Sequence, residues 1–361
     1  MRGEAGTALY DLSRSELEDA LSDEPAYRTD QVWDGLYRQS RPVEELSNVP
    51  RTLREHLAKH HHRSLRPSGE WITDEGDTVK FLWELSDGDT VETVLMNYPD
   101  QGGRTTVCVS TQAGCAMACS FCATGQGGFS RHLRTGEIVE QVLRAQRRNL
   151  ELGVERPRIS NVVFMGMGEP LANFGPTWNA VHRFHDDMGI GARHITISTV
   201  GLVPGIRRLA DADLPVNLAV SLHAAHDALR DDLVPINRRW PLEELLRACE
   251  DYLEATHRRI SFEWALIDSV NDTYEEADRL AALARRISAH VNLIPLNPTP
   301  GYAVRGSSRN RVHAFSRRLG EAGVNTTIRD TRGSDIDAAC GQLRAAHDPA
   351  PVQTPRRHNS G

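Results

Sequence analysis

The sequence predicts an α/β protein, a partial barrel of six βα units preceded by a small helical accessory domain. Three observations predict it. From residue 105 onward, strand-like apolar runs alternate with amphipathic helical stretches, the pattern of βαβ units around a mostly parallel sheet. Six or seven such units are too few to close an eight-stranded barrel. A chain of 361 residues, with 39% hydrophobic and 25% charged content, is long and apolar enough to bury a full core.

Residues 1–68 read as short helices. Ser13-Arg14-Ser15-Glu16 has the form of a capping box, and Leu17, Leu21, Val32, Leu36 and Tyr37 supply apolar faces. Pro42 and Pro50 punctuate the stretch, and Arg51 to Lys59 forms a further helix. His60, His61 and His62 are consecutive, so they cannot share one helix face and read as a polar linker. Residues 69–104 change to a strand period. Trp71–Thr73, Thr78–Leu85 and Thr90–Met96 form a β-meander, and Ser86-Asp87-Gly88-Asp89 carries an Asp-Gly hairpin signal.

Residues 105–345 carry the barrel. Strands are predicted at 105–110, 160–165, 193–198, 216–221, 260–267, 291–296 and 324–328. Helices are predicted at 135–150, 174–188, 202–210, 241–256, 273–288 and 309–322. The active site of such a sheet lies at the C-terminal ends of its strands. The Pro-containing tail, 346–361, is expected to be disordered.

Composition excludes some classes. No apolar run approaches the roughly 20 residues of a membrane span. The start, Met1-Arg2-Gly3-Glu4, lacks the apolar centre of a signal peptide. Six cysteines in a long chain without a secretion signal suit a reducing compartment, and a cytoplasmic protein is expected. The net charge of −7 argues mildly against nucleic acid. The cations are nearly all arginine and come in clusters, including Arg144, Arg147 and Arg148, and Arg317 and Arg318. Clusters of this kind can form a basic face on an acidic protein or simply solvate helices.

The densest chemistry lies in Gly114 to Gly125, where Cys115, Cys119 and Cys122 form a C-x3-C-x2-C pattern directly after a strand. Soft thiolates favour iron–sulfur clusters or zinc. With no fourth cysteine nearby, one metal corner stays open to a small molecule. The bland alternative is a zinc knuckle that borrows His132. The triad resembles the radical S-adenosylmethionine (SAM) superfamily, in which such cysteines hold a [4Fe-4S] cluster whose fourth iron is chelated by SAM. Met165-Gly166-Met167-Gly168-Glu169-Pro170 follows the next strand and, alone, would be an ordinary strand-to-helix turn. After an iron–sulfur loop it resembles the "GEP" motif that grips the SAM amino group. Ser198, the run Ser221-Leu222-His223, and Asn297 also sit at strand ends and offer polar groups to the same ligand.

Three cysteines remain. Cys249 falls on the apolar face of a helix and reads as core, and Cys108 and Cys340 could each be an ordinary buried thiol. Taken together, Val91-Glu92-Thr93-Val94, Cys108 to Cys115, Phe121-Cys122, Gly166 to Pro170, Leu293 to Pro298 and Ala339-Cys340-Gly341-Gln342-Leu343 resemble the RlmN/Cfr family of RNA adenine methyltransferases. The likeness runs from about residue 10 to 345, and Tyr27 to Trp33 is similar to the family's helical RNA-binding domain.

The resemblance implies methylation of adenine C2 in 23S ribosomal RNA (adenosine 2503 in its usual numbering) and of adenosine 37 in transfer RNA. It implies two SAM per turnover, a methylated Cys340, a Cys108–Cys340 disulfide and Glu92 as base. It also implies a monomer served by an electron donor such as flavodoxin or ferredoxin. By its own position, Glu92 is a glutamate in a strand, most simply a solvated one. The alternatives are Cfr-type methylation at C8, a non-catalytic RNA-binding or iron–sulfur scaffold, and a radical SAM enzyme acting on a small molecule.

Overall fold

The computed structural model of the chain describes residues 7–297, 299, 304–329, 332–339 and 341–343. Cys340, Pro298 and the tail 346–361 lie outside the described residues. Three helices come first: α1 (Arg14–Ala20), α2 (Tyr27–Tyr37) and α3 (Arg51–His60). The meander follows as β1 (Arg66–Thr73), β2 (Thr78–Glu84) and β3 (Thr90–Tyr98). After β4 (Arg104–Cys108), a small hairpin of β5 (Gln112–Gly114) and β6 (Phe129–His132) brackets the one-turn helix α4 (Ala123–Gln126).

The rest alternates: α5 (Thr135–Glu151), β7 (Asn161–Phe164), α6 (Phe174–His182), β8 (Ile195–Thr199), α7 (Val203–Ala210) and β9 (Asn217–Ser221). Then come α8 (Asp227–Leu233), α9 (Leu242–Thr256), β10 (Ile260–Leu266), α10 (Tyr274–Arg286), β11 (His290–Pro295), α11 (Arg309–Glu321) and β12 (Thr326–Ile328).

Ten strands form one sheet in the order β1-β2-β3-β4-β7-β8-β9-β10-β11-β12. The pairs from β1 to β4 are antiparallel, and every pair from β4 onward is parallel. Among the described residues β1 and β12 remain its two edges, so the sheet is open, as a partial barrel requires. The predicted barrel strands and helices all form. One helix differs: the stretch predicted at 174–188 is α-helical only to His182 and continues as a π-turn over Arg183–Asp187. The hairpin β5–β6 and helix α8 went unpredicted, because both are too short to show a hydrophobic period. The first meander strand begins at Arg66, five residues before the predicted Trp71.

The sheet register places one row of side chains on the barrel's inner face. Trp71 pairs with Lys80, Lys80 with Val94, Val94 with Cys108, and Cys108 with Val163. Directly paired residues point to the same face, and so do residues two apart on one strand. Glu92, two before Val94, therefore shares the face of Cys108.

The N-terminal segment packs onto α5 through the turn Leu9–Asp11. The predicted capping box is present: Ser13 Oγ accepts from the Glu16 N–H at 3.1 Å, and the Ser13 N–H donates to Glu16 at 2.7 Å. Arg147 donates to Tyr10 Oη at 2.7 Å and to the Ser40 carbonyl, while Arg148 pairs with Glu70 at 2.8 Å. This arginine cluster is therefore engaged within the protein. His60 ends α3, and His61 Nδ1 lies 3.0 Å from the Thr7 carbonyl, so the histidine run anchors the segment and does not simply link.

Candidate active site

The cysteine loop is held from both sides. Gly114 (φ 74°) passes so close to the hairpin's other strand that an added Cβ would stand 2.1 Å from the Gly128 carbonyl oxygen. Only glycine fits there. The Cys115 N–H donates to that same carbonyl at 2.7 Å, and Ala118, in the left-handed region (φ 53°), turns the chain back toward Cys119. The Cys122 N–H reaches the Cys119 carbonyl at 3.2 Å. All three cysteines border one cavity at the C-terminal ends of the strands, with about 1010 Å³ of empty space.

Burial pushes the Cys115 thiol up to about 12 and raises that of Cys119 as well, with neighbouring cysteine charge adding to both. Such thiols ionise when a cationic metal centre accepts them. Among the described residues, no three His, Cys, Asp or Glu side chains gather closely enough to hold a single ion. A four-iron cluster is bound differently, with one thiolate to each of several irons, and the three cysteines around one cavity fit it. His132 is turned elsewhere, with Nδ1 3.1 Å from Gln112 Nε2, and does not border this cavity. The zinc-knuckle alternative thus lacks its fourth ligand.

The second motif is stitched to the first. The Thr111 N–H donates to the Met167 carbonyl at 2.8 Å, and the Glu169 N–H donates to Gln112 Oε1 at 2.8 Å. Gly168 (φ 99°) lies against Gln112, where a Cβ would come within 2.5 Å of the Gln112 Cβ. This close packing sets Glu169 at the cavity wall. Its carboxylate is buried and accepts the Val200 N–H at 2.9 Å and the Leu171 N–H at 3.1 Å. Burial pushes its carboxyl up to about 7 despite those donors. A buried carboxylate beside open space is a natural seat for an ammonium group.

Ser198, Ser221, His223 and Asn297 border the same cavity, from the ends of β8, β9 and β11. The Leu222 side chain does not, since it lies in the apolar core. His223 has a left-handed backbone (φ 60°), and its Nδ1 accepts the Ala265 N–H at 3.0 Å. Burial and the nearby Arg230 push its imidazole down to about 3, so it stays neutral with Nε2 carrying the proton.

Sequence reasoning missed Arg230. Its guanidinium is wholly buried and donates to the carbonyls of Leu222 (3.1 Å), Val200 (2.6 Å) and Ser221 (3.3 Å), and to Asn237 Oδ1 (2.9 Å). One side chain thus ties the exits of β8 and β9 together behind Cys119. Its sequence signal is faint, an arginine between Asp227 and Asp231 in a two-turn helix.

A second cavity, about 1490 Å³ of empty space, occupies the barrel interior. Cys108, Val94 and Val163 border it, along with Arg104, Arg332 and Tyr98 at its far end. Met165, Ile294, Asn297 and Arg329 border both cavities. The sequence neighbours of Cys340 stand on either side of this junction. Ala339 borders the Cys108 cavity, and Gly341 borders the cysteine-loop cavity, its carbonyl accepting the Ala123 N–H at 2.8 Å. Glu92 is buried, not solvated, and its carboxylate lies 3.3 Å from the Lys80 ammonium.

A partial barrel with three cysteines and a buried glutamate around the cavity at its mouth defines a radical SAM enzyme. The chain matches the model of the radical SAM superfamily over residues 109–281. It is 50% identical to the "Dual-specificity RNA methyltransferase RlmN 1" of Myxococcus xanthus, over 96% of each chain. It is also 50% identical to the "Probable dual-specificity RNA methyltransferase RlmN" of Frankia casuarinae, covering 99% of this chain and 87% of that protein. The crystal structure of a radical SAM methyltransferase from Sphaerobacter thermophilus superposes with a TM-score of 0.89 at 49% identity, covering 94% of this chain and all of that one. The chain belongs to the RlmN family of radical SAM methyltransferases. Membership implies SAM and a [4Fe-4S] cluster, and Cys115, Cys119 and Cys122 are the cysteines that border this cavity. No helix among the described residues is long and apolar enough to cross a membrane.

Proposed function

We propose that this enzyme methylates C2 of an adenine in 23S ribosomal RNA and in transfer RNA, through a methylated Cys340 and a transient Cys108–Cys340 disulfide. The observation that carries it is the junction of the two cavities. Cys108 faces one, the cluster cysteines face the other, and Ala339 and Gly341 flank Cys340 on either side. Residues 1–68 serve as the RNA-binding unit, 69–104 as an extension that supplies the base, and 105–345 as the barrel.

Adenine C2 lies between two ring nitrogens and is too electron-poor to attack a methyl donor directly. When bound, the cluster and SAM supply a 5′-deoxyadenosyl radical and a second SAM supplies the methyl group, two per turnover, with electrons from a flavodoxin or ferredoxin. Glu169, Ser198, Ser221, His223 and Asn297, with Gly168 beside them, would hold SAM in the cavity that the three cysteines border. The Cys340 sulfur carries the methyl group. Once its carbon, having given one hydrogen atom to the radical, has joined C2, the adduct gives up one electron and Glu92 takes the C2 proton. The Cys108 thiolate then attacks the Cys340 sulfur, the sulfur–carbon bond breaks, and the released methylene carbon takes up a proton to become the new methyl group. The resulting disulfide is reset by a two-electron reductant.

The test is mass spectrometry of RNA and protein after anaerobic reconstitution with iron and sulfide. Methyl on Cys340, a covalent RNA adduct in Cys108→Ala, and 2-methyladenosine in wild-type product are expected. Recovery of 8-methyladenosine would transfer the assignment to Cfr-type chemistry. Full activity in Cys340→Ala would overturn the mechanism itself.

A further inference from the structure

We propose that Lys80 is a positioning residue for the proton-transfer step, fixing the Glu92 carboxylate, and with it the segment that precedes Cys340, for removal of the adenine C2 proton. The inference rests on the reading of Glu92 as base given above. It begins from the register: Leu82 pairs with Glu92 and Lys80 with Val94, so Lys80 and Glu92 are diagonal neighbours on the inner face. Their charged atoms are 3.3 Å apart, and the two side chains are only 8% and 2% exposed.

The same ammonium lies 3.4 Å from the Asp337 carbonyl and 4.9 Å from the centre of the Trp71 ring. It therefore links the base on β3 to the chain three residues ahead of Cys340. Among the described residues, titratable groups near this pair include Cys108 on the same face of β4, Asp337 itself, and Asp335, which accepts a hydrogen bond from Thr73.

Two physical arguments favour a working lysine over incidental packing. A buried carboxylate with no cation beside it favours its protonated form and cannot accept a proton, and an ammonium at contact distance reverses that preference. Lysine is also a pointed choice here. Lys59 and Lys80 are the only lysines in an arginine-rich chain, and Lys59 stands at the end of α3, remote in sequence from the barrel. The compact Lys80 ammonium meets a carboxylate, a carbonyl and a ring face at once, at 3.3, 3.4 and 4.9 Å.

The experiment is a single turnover with reconstituted full-length enzyme and an unmodified transcript of a 23S ribosomal RNA fragment. It compares wild type, Lys80→Gln, Lys80→Met, Lys80→Arg and Glu92→Gln. Three quantities are read: methyl on Cys340, covalent RNA–protein adduct, and released methylated RNA. Lys80→Gln and Lys80→Met should load Cys340 and form adduct as wild type does, yet release product about 10-fold more slowly or worse, so that adduct accumulates. Lys80→Arg, which keeps the charge, should accumulate less. A parallel fall in all three quantities marks a merely structural lysine and overturns the proposal. Release at the wild-type rate from Lys80→Gln, while Glu92→Gln traps adduct, overturns it too. If Glu92→Gln itself traps nothing, the reading of Glu92 as base is what fails.

Discussion

The two halves of the sheet put functional groups into the barrel in different ways. In the parallel half, from β4 to β12, chemistry sits in the loops that leave the strands: the three cysteines, Glu169 and His223. In the antiparallel half, β1 to β4, it sits on the strands themselves, where the two-residue period aims Lys80, Glu92 and Cys108 at one interior. Loops can be shaped closely, and Gly114 and Gly168 let theirs pack tightly against Gly128 and Gln112. Strands fix side chains more rigidly, as the acid–base and sulfur steps proposed for these residues require. Gln141 of α5 joins the halves from the outer face, accepting the Ser110 N–H at 2.8 Å and the Thr93 hydroxyl at 2.8 Å.

The largest expected effect separates the halves outright. Replacing Cys115, Cys119 or Cys122 with alanine should abolish both iron binding and turnover, while Glu92→Gln keeps the full iron content. Iron analysis and charge-transfer absorbance read this directly, and loss of iron in Glu92→Gln would dissolve the division.

Arg230→Met comes next. It strands three carbonyls and the Asn237 amide oxygen in a buried site, which should cost about 3–5 kcal/mol in chemical unfolding. If stability barely changes, Arg230 does not brace the mouth of the parallel half.

A smaller effect concerns pH. Between the ordinary value of 4.5 and about 7, folded Glu169 holds its proton more tightly than the unfolded chain does. Stability therefore falls as pH rises through that window. Thermal melts of cluster-free protein should show this decline, and Glu169→Gln should remove its share. Over the same range, SAM binding should strengthen as the carboxylate ionises.

The smallest effect tests the join. Thr93→Val keeps the shape but breaks the chain from Trp83 through Thr93 to Gln141, for about 1–3 kcal/mol. Activity should fall little, because neither cavity is lined by Thr93.

Much of this was legible beforehand. The barrel's strands and helices read cleanly because each is long enough to show its period, and the cysteine triad is a local pattern. Cys249 lies in the core, as its helix face implies. Glu92 read as a solvated strand residue until the register placed it beside a buried ammonium. Leu222 stood beside polar neighbours in sequence, yet the strand exit turns its side chain into the core. The arginine cluster of α5 read as open surface, but it ties down the turn at Tyr10, the chain at Ser40 and strand β1.

By itself the sequence determined the order of elements, the cysteine loop and the glutamate loop, because periodicity and local ligand spacing are properties of neighbouring residues. Only the tertiary structure decided which distant residues meet. Lys80 reaches Glu92 and Asp337, Arg230 braces loops from two strands, and the flanks of Cys340 straddle two cavities. Those contacts depend on strand register and on sheet curvature. Both are set by the packing of the whole core, and no short stretch of sequence encodes them.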